Sequence, residues 1–462
     1  MDYTKFYQIF VTLLGSDRVL SKRSQLEEYS TGSSVHIFGL TDKWHYLHPN
    51  LKENYWPDLV VLPETTKHVS SILKLANKER IPVIAWGGGS NTHGCTLPIS
   101  GGIVIDLRKM DKIIEIEKET PSVTSQSGIS LLELQQELMD EGYCHGSNPG
   151  SAPWATLGGS LCCEAHTLAG FKYGATLDNL IGLEAVMPNG EIIKTKSRYS
   201  GGYNLNNLFA RSEGTLGIVT EIKMRVHPLP EFTTNIGFAF DTFKDAVETH
   251  NAILKKRFST LGVMLAFDEK SQIYRNKNEK NIILMTLEGY QDIVKIEQQY
   301  ITRIASERGG NNLPEETADV VQDWWTMLVG MSYESAEKQI TAKIGPHVWI
   351  PINKIYEAYK IYKKLASKHR LSYAGAMCTP TRLSIGVKVD RQSIDEKKRY
   401  GSLTREYSAY LIKNGGSIMG AHGCGLAFKN ELKAEYEEGF HLMEKIKKAI
   451  DPKGIMNPGK IF

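Results

Sequence analysis

Three glycines stand in a row at Gly87-Gly88-Gly89, directly after the apolar run Pro82 to Ala85 and Trp86, and Ser90, Asn91, Thr92, His93 and Gly94 follow. Without Cβ atoms, successive backbone N–H groups can turn toward one point, and an anion such as a pyrophosphate is what such a nest holds. A plain tight turn uses the same residues. The spacing matches neither GxGxxG nor GxxxxGK[ST], so a Rossmann nicotinamide site and a P-loop lose their main support. In the nest Gly88 is expected to need both open space and a positive φ, which a β-branched side chain resists.

Two later segments are built the same way. Pro149, Gly150 and Ser151 precede Ala155, Thr156, Gly158 and Gly159, and Glu213, Gly214, Gly217, Ile218 and Val219 form the other. Small residues there let backbone lie against a flat ring system. Arg382, alone among apolar strand residues, has the fork to clamp a carboxylate or phosphate, though a surface salt bridge uses the same group. The adjacent Cys162 and Cys163 read as small-residue packing or as a redox pair. Trp324, Trp325 and Tyr333 read as core or as an aromatic substrate wall.

These residues need elements to hold them. Leu59 to Leu62 reads as a strand, Thr65 to Lys78 as a helix and Pro82 to Ala85 as a strand, one unit ending at the glycines. Gly102 to Leu107 and Ile113 to Ile116 are short strands, and Leu131 to Glu141 is a helix closed by Gly142. Leu180 to Met187 and Glu191 to Thr195 flank Asn189-Gly190, a strong hairpin signal. Ile218 to Val226 is a strand that His227-Pro228-Leu229-Pro230 should stop, and a domain boundary is expected there. Beyond it, helical Phe243 to Phe258, Asp292 to Gly309 and Pro351 to Arg370 alternate with strands Leu261 to Phe267, Ile282 to Glu288 and Leu383 to Val389, which suggests a sheet covered by helices. Glu431 to Ile450 reads as one amphipathic helix.

With 462 residues the chain exceeds what one core usually serves. A formal charge of +3 gives no footprint for nucleic acid, and the basic run Lys445, Lys447, Lys448 reads as a solvated helix face. Six cysteines without CxxC spacing fit a reducing compartment. Phe6 to Leu14 is too short for a membrane span and reads as a first amphipathic helix. The expected location is cytoplasmic, with peripheral membrane association as the variant.

The order of motifs carries a resemblance. Pro57-Asp58, the Gly87-Gly88-Gly89 loop, Pro149-Gly150-Ser151 with Ala155-Thr156-Leu157-Gly158-Gly159, Lys172-Tyr173-Gly174, Pro188-Asn189-Gly190-Glu191 and Ser212-Glu213-Gly214-Thr215-Leu216-Gly217 follow one another as in the vanillyl-alcohol oxidase / p-cresol methylhydroxylase superfamily of FAD-linked oxidases. Within it the chain resembles the branch of glycolate oxidase D subunits, D-lactate dehydrogenases and alkyldihydroxyacetonephosphate synthase. The tail, from Ala421-His422-Gly423-Cys424-Gly425 to Asn457-Pro458-Gly459, resembles that branch too.

This resemblance implies an α+β fold: a two-subdomain FAD-binding domain of the p-cresol methylhydroxylase type over residues 1–228, completed by 430–462, with an α/β substrate cap over 229–429. It implies FAD held by Trp86, Gly87, Gly88, Gly89, Ser90, Asn91 and Gly94 at the pyrophosphate. Pro149, Gly150, Ser151, Ala155, Thr156, Gly159, Cys162, Cys163 and Ala165 would flank the flavin, with Glu213, Gly214, Gly217, Ile218 and Val219 running along it. Covalent-flavin branches carry a histidine directly after the glycines, where this chain has Ser90, so noncovalent FAD is expected and His93 is assigned a structural role. The branch's metal-binding histidines have no counterpart in Gly375 to Arg382, and its Glu-His-Gly is Ala421-His422-Gly423 here, so no catalytic metal is expected.

The activity implied is hydride transfer from an alcohol carbon, foremost of a small 2-hydroxy acid of the D-lactate or glycolate type, to flavin N5. His422 is the candidate base, Arg382 the candidate anion clamp, and His166, in place of a family glycine, the third catalytic candidate. A transferase of the alkyldihydroxyacetonephosphate synthase kind, working through a flavin adduct, and a noncatalytic flavoprotein subunit are the alternatives. Expected partners are the alcohol substrate and an electron acceptor that the residues do not choose among oxygen, quinone and carrier protein. A homodimer is the candidate assembly.

Overall fold

Leu59–Val61 is buried at every position, which a strand can be only inside a covered sheet. It runs parallel to Ile103–Asp106, which in turn runs parallel to Val83–Trp86, while Val19–Leu20 adds an antiparallel edge. The crossover helix Thr66–Glu79 starts where the Thr65 side chain accepts the His68 N–H and stops at left-handed Arg80. Its Val69, Ile72, Leu73 and Ala76 face the sheet and share a core with Phe6, Phe10 and Leu14 of the first helix, Thr4–Leu14. The computed structural model describes residues 3–31, 46–51, 55–147, 149–165, 167–197, 200–271, 281–314, 341–390 and 392–462.

A second sheet is antiparallel throughout, in the order Ile113–Glu117, Ser122–Gln126, Ile218–Arg225, Leu180–Val186, Ile192–Lys194. Ser122–Gln126 carries one apolar residue, Val123, so its sequence gives no strand signal; pairing on both sides makes it one. The Asn189-Gly190 hairpin forms, with Val186 opposite Ile192 and Gly190 at φ 85°. The strand Ile218–Arg225 stops before His227-Pro228, as expected. His227-Pro228 then pairs separately with Tyr143–Cys144 as a two-residue bridge.

From Phe232 the chain builds an eight-stranded antiparallel sheet, in which Arg382–Asp390 pairs with Ser372–Cys378, with Thr341–Ile344 and with His347–Trp349. The helices Phe243–Lys256, Gln291–Ser306, Ile355–Lys368 and Ile394–Lys413 pack on it around the largest core. The register sets Trp349 opposite Arg382, at the end of the sheet.

The tail departs from its sequence pattern. Instead of one helix there are two, Lys429–Tyr436 and Glu438–Ile450, broken at Glu437 with φ 45° and ψ −113°. Apolar periodicity spans both halves and cannot reveal one residue outside the helical region. Nor is the basic run wholly solvated: Lys447 Nζ donates to the Thr215 and Met456 carbonyls and to Asp451. The chain end returns to the glycine loop, where Asn457 Nδ2 donates to the carbonyls of Cys95 and Glu213. Among the described residues no helix is long and apolar enough to cross a membrane.

Candidate active site

A cavity of about 660 Å³ opens where the tail meets both the sheet end and the helix Leu157–Cys163, lined among others by Cys163, Glu164, Arg211, Glu213, Trp349, Arg382, Ala421, Gly423 and Glu435. Among the described residues, four of the ten non-glycine residues with positive φ, Glu164, Arg211, Glu213 and Ile461, line it, and a fifth, His422, lies between two lining residues. Backbone strain gathers at this cavity, as it does at functional sites.

Arg382 enters from its strand with a half-buried guanidinium that makes no side-chain hydrogen bond or ion pair among the described residues. Burial pulls its pKa down to about 10, and the Glu164 charge opposes that. Glu164 itself is taken by Arg211, at 3.2 Å. An unpaired, desolvated guanidinium favours an anion that can pair with it.

Glu213 is buried, and its carboxylate accepts the N–H of Cys424 at 2.6 Å and of Gly425 at 2.9 Å. Burial raises its pKa, against the pull of the Cys95 thiol and those two amides. Lys460, also buried, donates to the Leu97 carbonyl, and desolvation lowers its pKa to about 8. Glu213 therefore braces the tail against the loop.

The glycine loop and the second small-residue segment touch. A Cβ on Gly87 would sit 2.3 Å from Thr156 Oγ1, and one on Gly88 1.6 Å from the Trp154 carbonyl oxygen. Gly89, not Gly88, carries the positive φ, 61°. Steric closeness to Trp154 is what demands glycine at 88. Trp86 ends its strand as a fully buried side chain packed at 4.8 Å against the Tyr29 ring, tilted 60° to it, so its ring serves the core. Asn91 accepts from the His93 and Cys95 amides and donates to the His422 carbonyl at 2.7 Å.

His422 has φ 69°, and its ring packs edge-on to His93 at 5.3 Å and to His347 at 5.0 Å between centroids. His347 in turn pairs through Nδ1 with Ser384 Oγ at 2.6 Å. Ala421 and Gly423 line the cavity while the imidazole between them leans into this trio. Among the described residues no three or more His, Cys, Asp or Glu side chains are grouped to hold a metal ion.

Of the residues singled out in the sequence, Cys163, Glu213 and Arg382 line the cavity. Pro149, Gly150 and Ser151 form the turn before Ala155; Thr156 caps Leu157–Cys163 by accepting the Gly159 N–H, and Ala165 N–H bonds the Ser160 carbonyl after Cys162. Ser90 and Gly94 stay in the glycine loop, with Gly94 at φ 74°. Gly214 abuts Ala85; Gly217 abuts the Val186 carbonyl, and Ile218 and Val219 point into cores. His166, Trp324, Trp325 and Tyr333 lie outside the described residues. Sequence reasoning missed His347, Trp349 and Glu435. No local motif marks them, since strand register and the broken tail helix bring them in.

The residues fit a flavin dinucleotide on two observations: a cavity within the size range of sites for cofactors and drug-sized ligands, and a loop where Cβ atoms are excluded beside the Thr156-capped helix. The two sheets, the helix-covered antiparallel sheet and the cavity at their meeting define a flavoprotein oxidoreductase of the p-cresol methylhydroxylase fold. Residues 57–196 match the FAD binding domain, and residues 229–461 match the C-terminal domain of FAD linked oxidases. The chain belongs to the FAD-linked oxidase family, and FAD is its cofactor.

It is 29% identical over 429 residues to the glycolate oxidase subunit GlcD of Bacillus subtilis, covering 88% of this chain and 89% of that one. With the mitochondrial D-lactate dehydrogenase [cytochrome] 1 of Saccharomyces cerevisiae it is 30% identical over 443 residues, 90% of this chain and 74% of that protein. Among solved structures, alkyldihydroxyacetonephosphate synthase superposes with TM-score 0.77 at 22% identity, over 99% of this chain and 85% of the other. Substrate-bound p-cresol methylhydroxylase does so with TM-score 0.77 at 19% identity, over 99% and 96%. At such identities the structures share the fold alone.

Proposed function

We propose that this flavoprotein oxidises the alcohol carbon of a small 2-hydroxy acid, with Arg382 receiving the carboxylate. The observation that carries the reading is the half-buried Arg382 guanidinium, which lies in the cavity beside the tail loop with no side-chain hydrogen bond or ion pair among the described residues. FAD, bound noncovalently, supplies a two-electron acceptor for hydride. A bidentate Arg–carboxylate pair fixes the acid in one orientation and so presents the carbinol carbon in a repeatable place. His422, on the strained turn between Ala421 and Gly423, is the group assigned to take the hydroxyl proton.

The relatives' names support the substrate class, since one is a glycolate oxidase subunit and another a D-lactate dehydrogenase. The likeness to alkyldihydroxyacetonephosphate synthase is one of fold and does not favour a transferase. Anaerobic mixing with D-lactate, L-lactate, glycolate, polyols and glycerol phosphates tests the reading. Bleaching of the flavin band by a 2-hydroxy acid is the expected result, and bleaching by none overturns it. Reoxidation in air, by a quinone or by a carrier protein then identifies the electron acceptor. The purified chain is expected to release its FAD on acid precipitation, and yellow colour left on the pellet would contradict noncovalent binding.

A further inference from the structure

Among the described residues Glu164 is the carboxylate whose charge acts on Arg382. Arg211 Nε holds it at 3.2 Å, and all three side chains line the cavity. The pair is built into the backbone. Glu164 ends the helix Leu157–Cys163 in the left-handed region, at φ 49°, and Arg211 stands at φ 61°. Both amides donate to one acceptor, the Leu161 carbonyl, at 3.4 Å and 3.2 Å, and the Glu213 N–H takes the Cys162 carbonyl beside it at 3.1 Å. Two strained residues are thus pinned side by side, as happens where the surroundings over-determine the backbone. The Glu164 side chain is 11% exposed and that of Arg211 62%, so the carboxylate is fixed in the wall while its partner stays largely in solvent. An ion pair with so exposed a member adds little stability, which leaves its charge as its consequence for the cavity.

Two carboxylates compete for one guanidinium: Glu164, tethered in the same cavity, and that of an incoming acid. A tethered group competes at a high effective concentration, and like charges close together oppose each other. Resting on the oxidation proposed above, we propose that Arg211 is a positioning residue that neutralises Glu164 and so leaves Arg382 open to the substrate carboxylate. The pair sets the anion affinity of the site: Glu164 acts on Arg382 through its charge, and Arg211 acts only through Glu164.

The probe is 2-hydroxyisobutyrate, which carries the carboxylate and the hydroxyl but no hydrogen on the carbinol carbon, so it binds without reducing the flavin. Titrating it into the FAD-loaded chain and following the flavin band gives a dissociation constant. Arg211→Gln is expected to weaken binding roughly tenfold, a middling value for coupled charged neighbours. Arg211→Lys should stay within about threefold of the native chain, because a point charge suffices to neutralise Glu164. Glu164→Gln should bind the probe more tightly than the native chain, and adding Arg211→Gln to it should change affinity by about twofold or less. The neutral 2-hydroxyisobutyramide should bind alike to all of them.

Two results overturn the inference while leaving the 2-hydroxy acid reading intact. Native affinity in Arg211→Gln would make the pair a surface ion pair without effect on the anion. An equal loss when Arg211→Gln is added to Glu164→Gln would mean that Arg211 meets the anion directly. If the probe leaves the flavin band of the native chain unchanged, the concentration dependence of bleaching by the reactive 2-hydroxy acid supplies the same ratios, and bleaching by none overturns both readings. FAD content per chain is measured for every variant. If Arg211→Gln loses its flavin, Glu164→Gln decides alone, and an affinity no tighter than native overturns the inference.

Discussion

The Glu213 carboxylate accepts the Cys424 N–H at 2.6 Å, and Gly425 N–H follows at 2.9 Å, so one buried acid holds the tail turn next to His422. Glu213→Ala leaves two buried amides without an acceptor, which costs roughly 3 kcal/mol or more. The variant is expected to melt at lower temperature and to bind FAD less well. Thermal unfolding with and without added FAD checks this, and an unchanged melting temperature would show that the tail is held by other contacts.

Arg382 is the recognition element, so its replacement should act on the carboxylate. Arg382→Leu is expected to lower kcat/KM for flavin reduction by about 10²-fold or more, the scale of removing one partner of a buried charge pair. Arg382→Lys should recover little, because a point charge lacks the planar fork. The methyl ester of the same acid, which has no anion to pair, should react equally with all three forms. A uniform loss on acid and ester alike would place Arg382 in structure instead of recognition.

Gly88 is a packing position. A Cβ there would lie 1.6 Å from the Trp154 carbonyl oxygen, which belongs to backbone and cannot swing away. Gly88→Val is expected to lose FAD retention, and Gly88→Ala nearly as much, because the obstacle is the first carbon of any side chain. Absorbance per chain after desalting measures it. Full flavin content in Gly88→Ala would mean that the two loops separate freely.

These sites differ in how far the sequence revealed them. Gly87 to Gly89, Thr156, Gly159 and Glu213 sit in local runs whose composition states a backbone need. The parallel unit Leu59–Val61, Thr66–Glu79, Val83–Trp86 was legible for the same reason, since hydrophobic period and capping are local signals. Arg382 stood out by type, yet its freedom from a partner depends on Arg211 taking Glu164 from a distant segment. His347 reaches His422 only through the register of His347–Trp349 on Arg382–Asp390, which no short window encodes. Ser122–Gln126 was missed because its strand state comes from its two neighbours.

Buried histidine makes the fold acid-sensitive. His145 is fully buried, sits within 2.9 Å of the Leu131 carbonyl through Nε2, and accepts the Ser147 N–H at Nδ1. Burial depresses its pKa to about 4. The folded state keeps it neutral, whereas the unfolded chain takes up a proton below the ordinary value near 6.5. Its stabilising contribution is therefore whole above that pH and is lost as pH falls toward 4, by roughly 1.4 kcal/mol per unit. Urea midpoints measured from pH 7 to pH 4.5 should fall less steeply for His145→Gln than for the native chain. Equal slopes would assign the acid lability elsewhere, with His250, whose pKa burial also depresses to about 4, the next residue to replace.

His422 is the residue on which the proposed proton transfer depends. Its turn is held by Asn91 at the carbonyl and by Glu213 through the next two amides but one, so the backbone stays in place when the ring is removed. The imidazole leans on His93 and His347 while its neighbours Ala421 and Gly423 line the cavity. If it is the base, His422→Ala should slow flavin reduction by about 10²-fold or more with FAD content unchanged. The fall should appear in the limiting rate more than in the substrate concentration needed, because proton and hydride leave one alcohol group in the chemical step. Replacing His347 separates the two histidines: His347→Ala should leave a smaller defect, through loss of the ring that packs against His422. A reduction rate per bound flavin that is the same in His422→Ala as in the native chain would remove His422 from the mechanism and move the base to another group at the cavity.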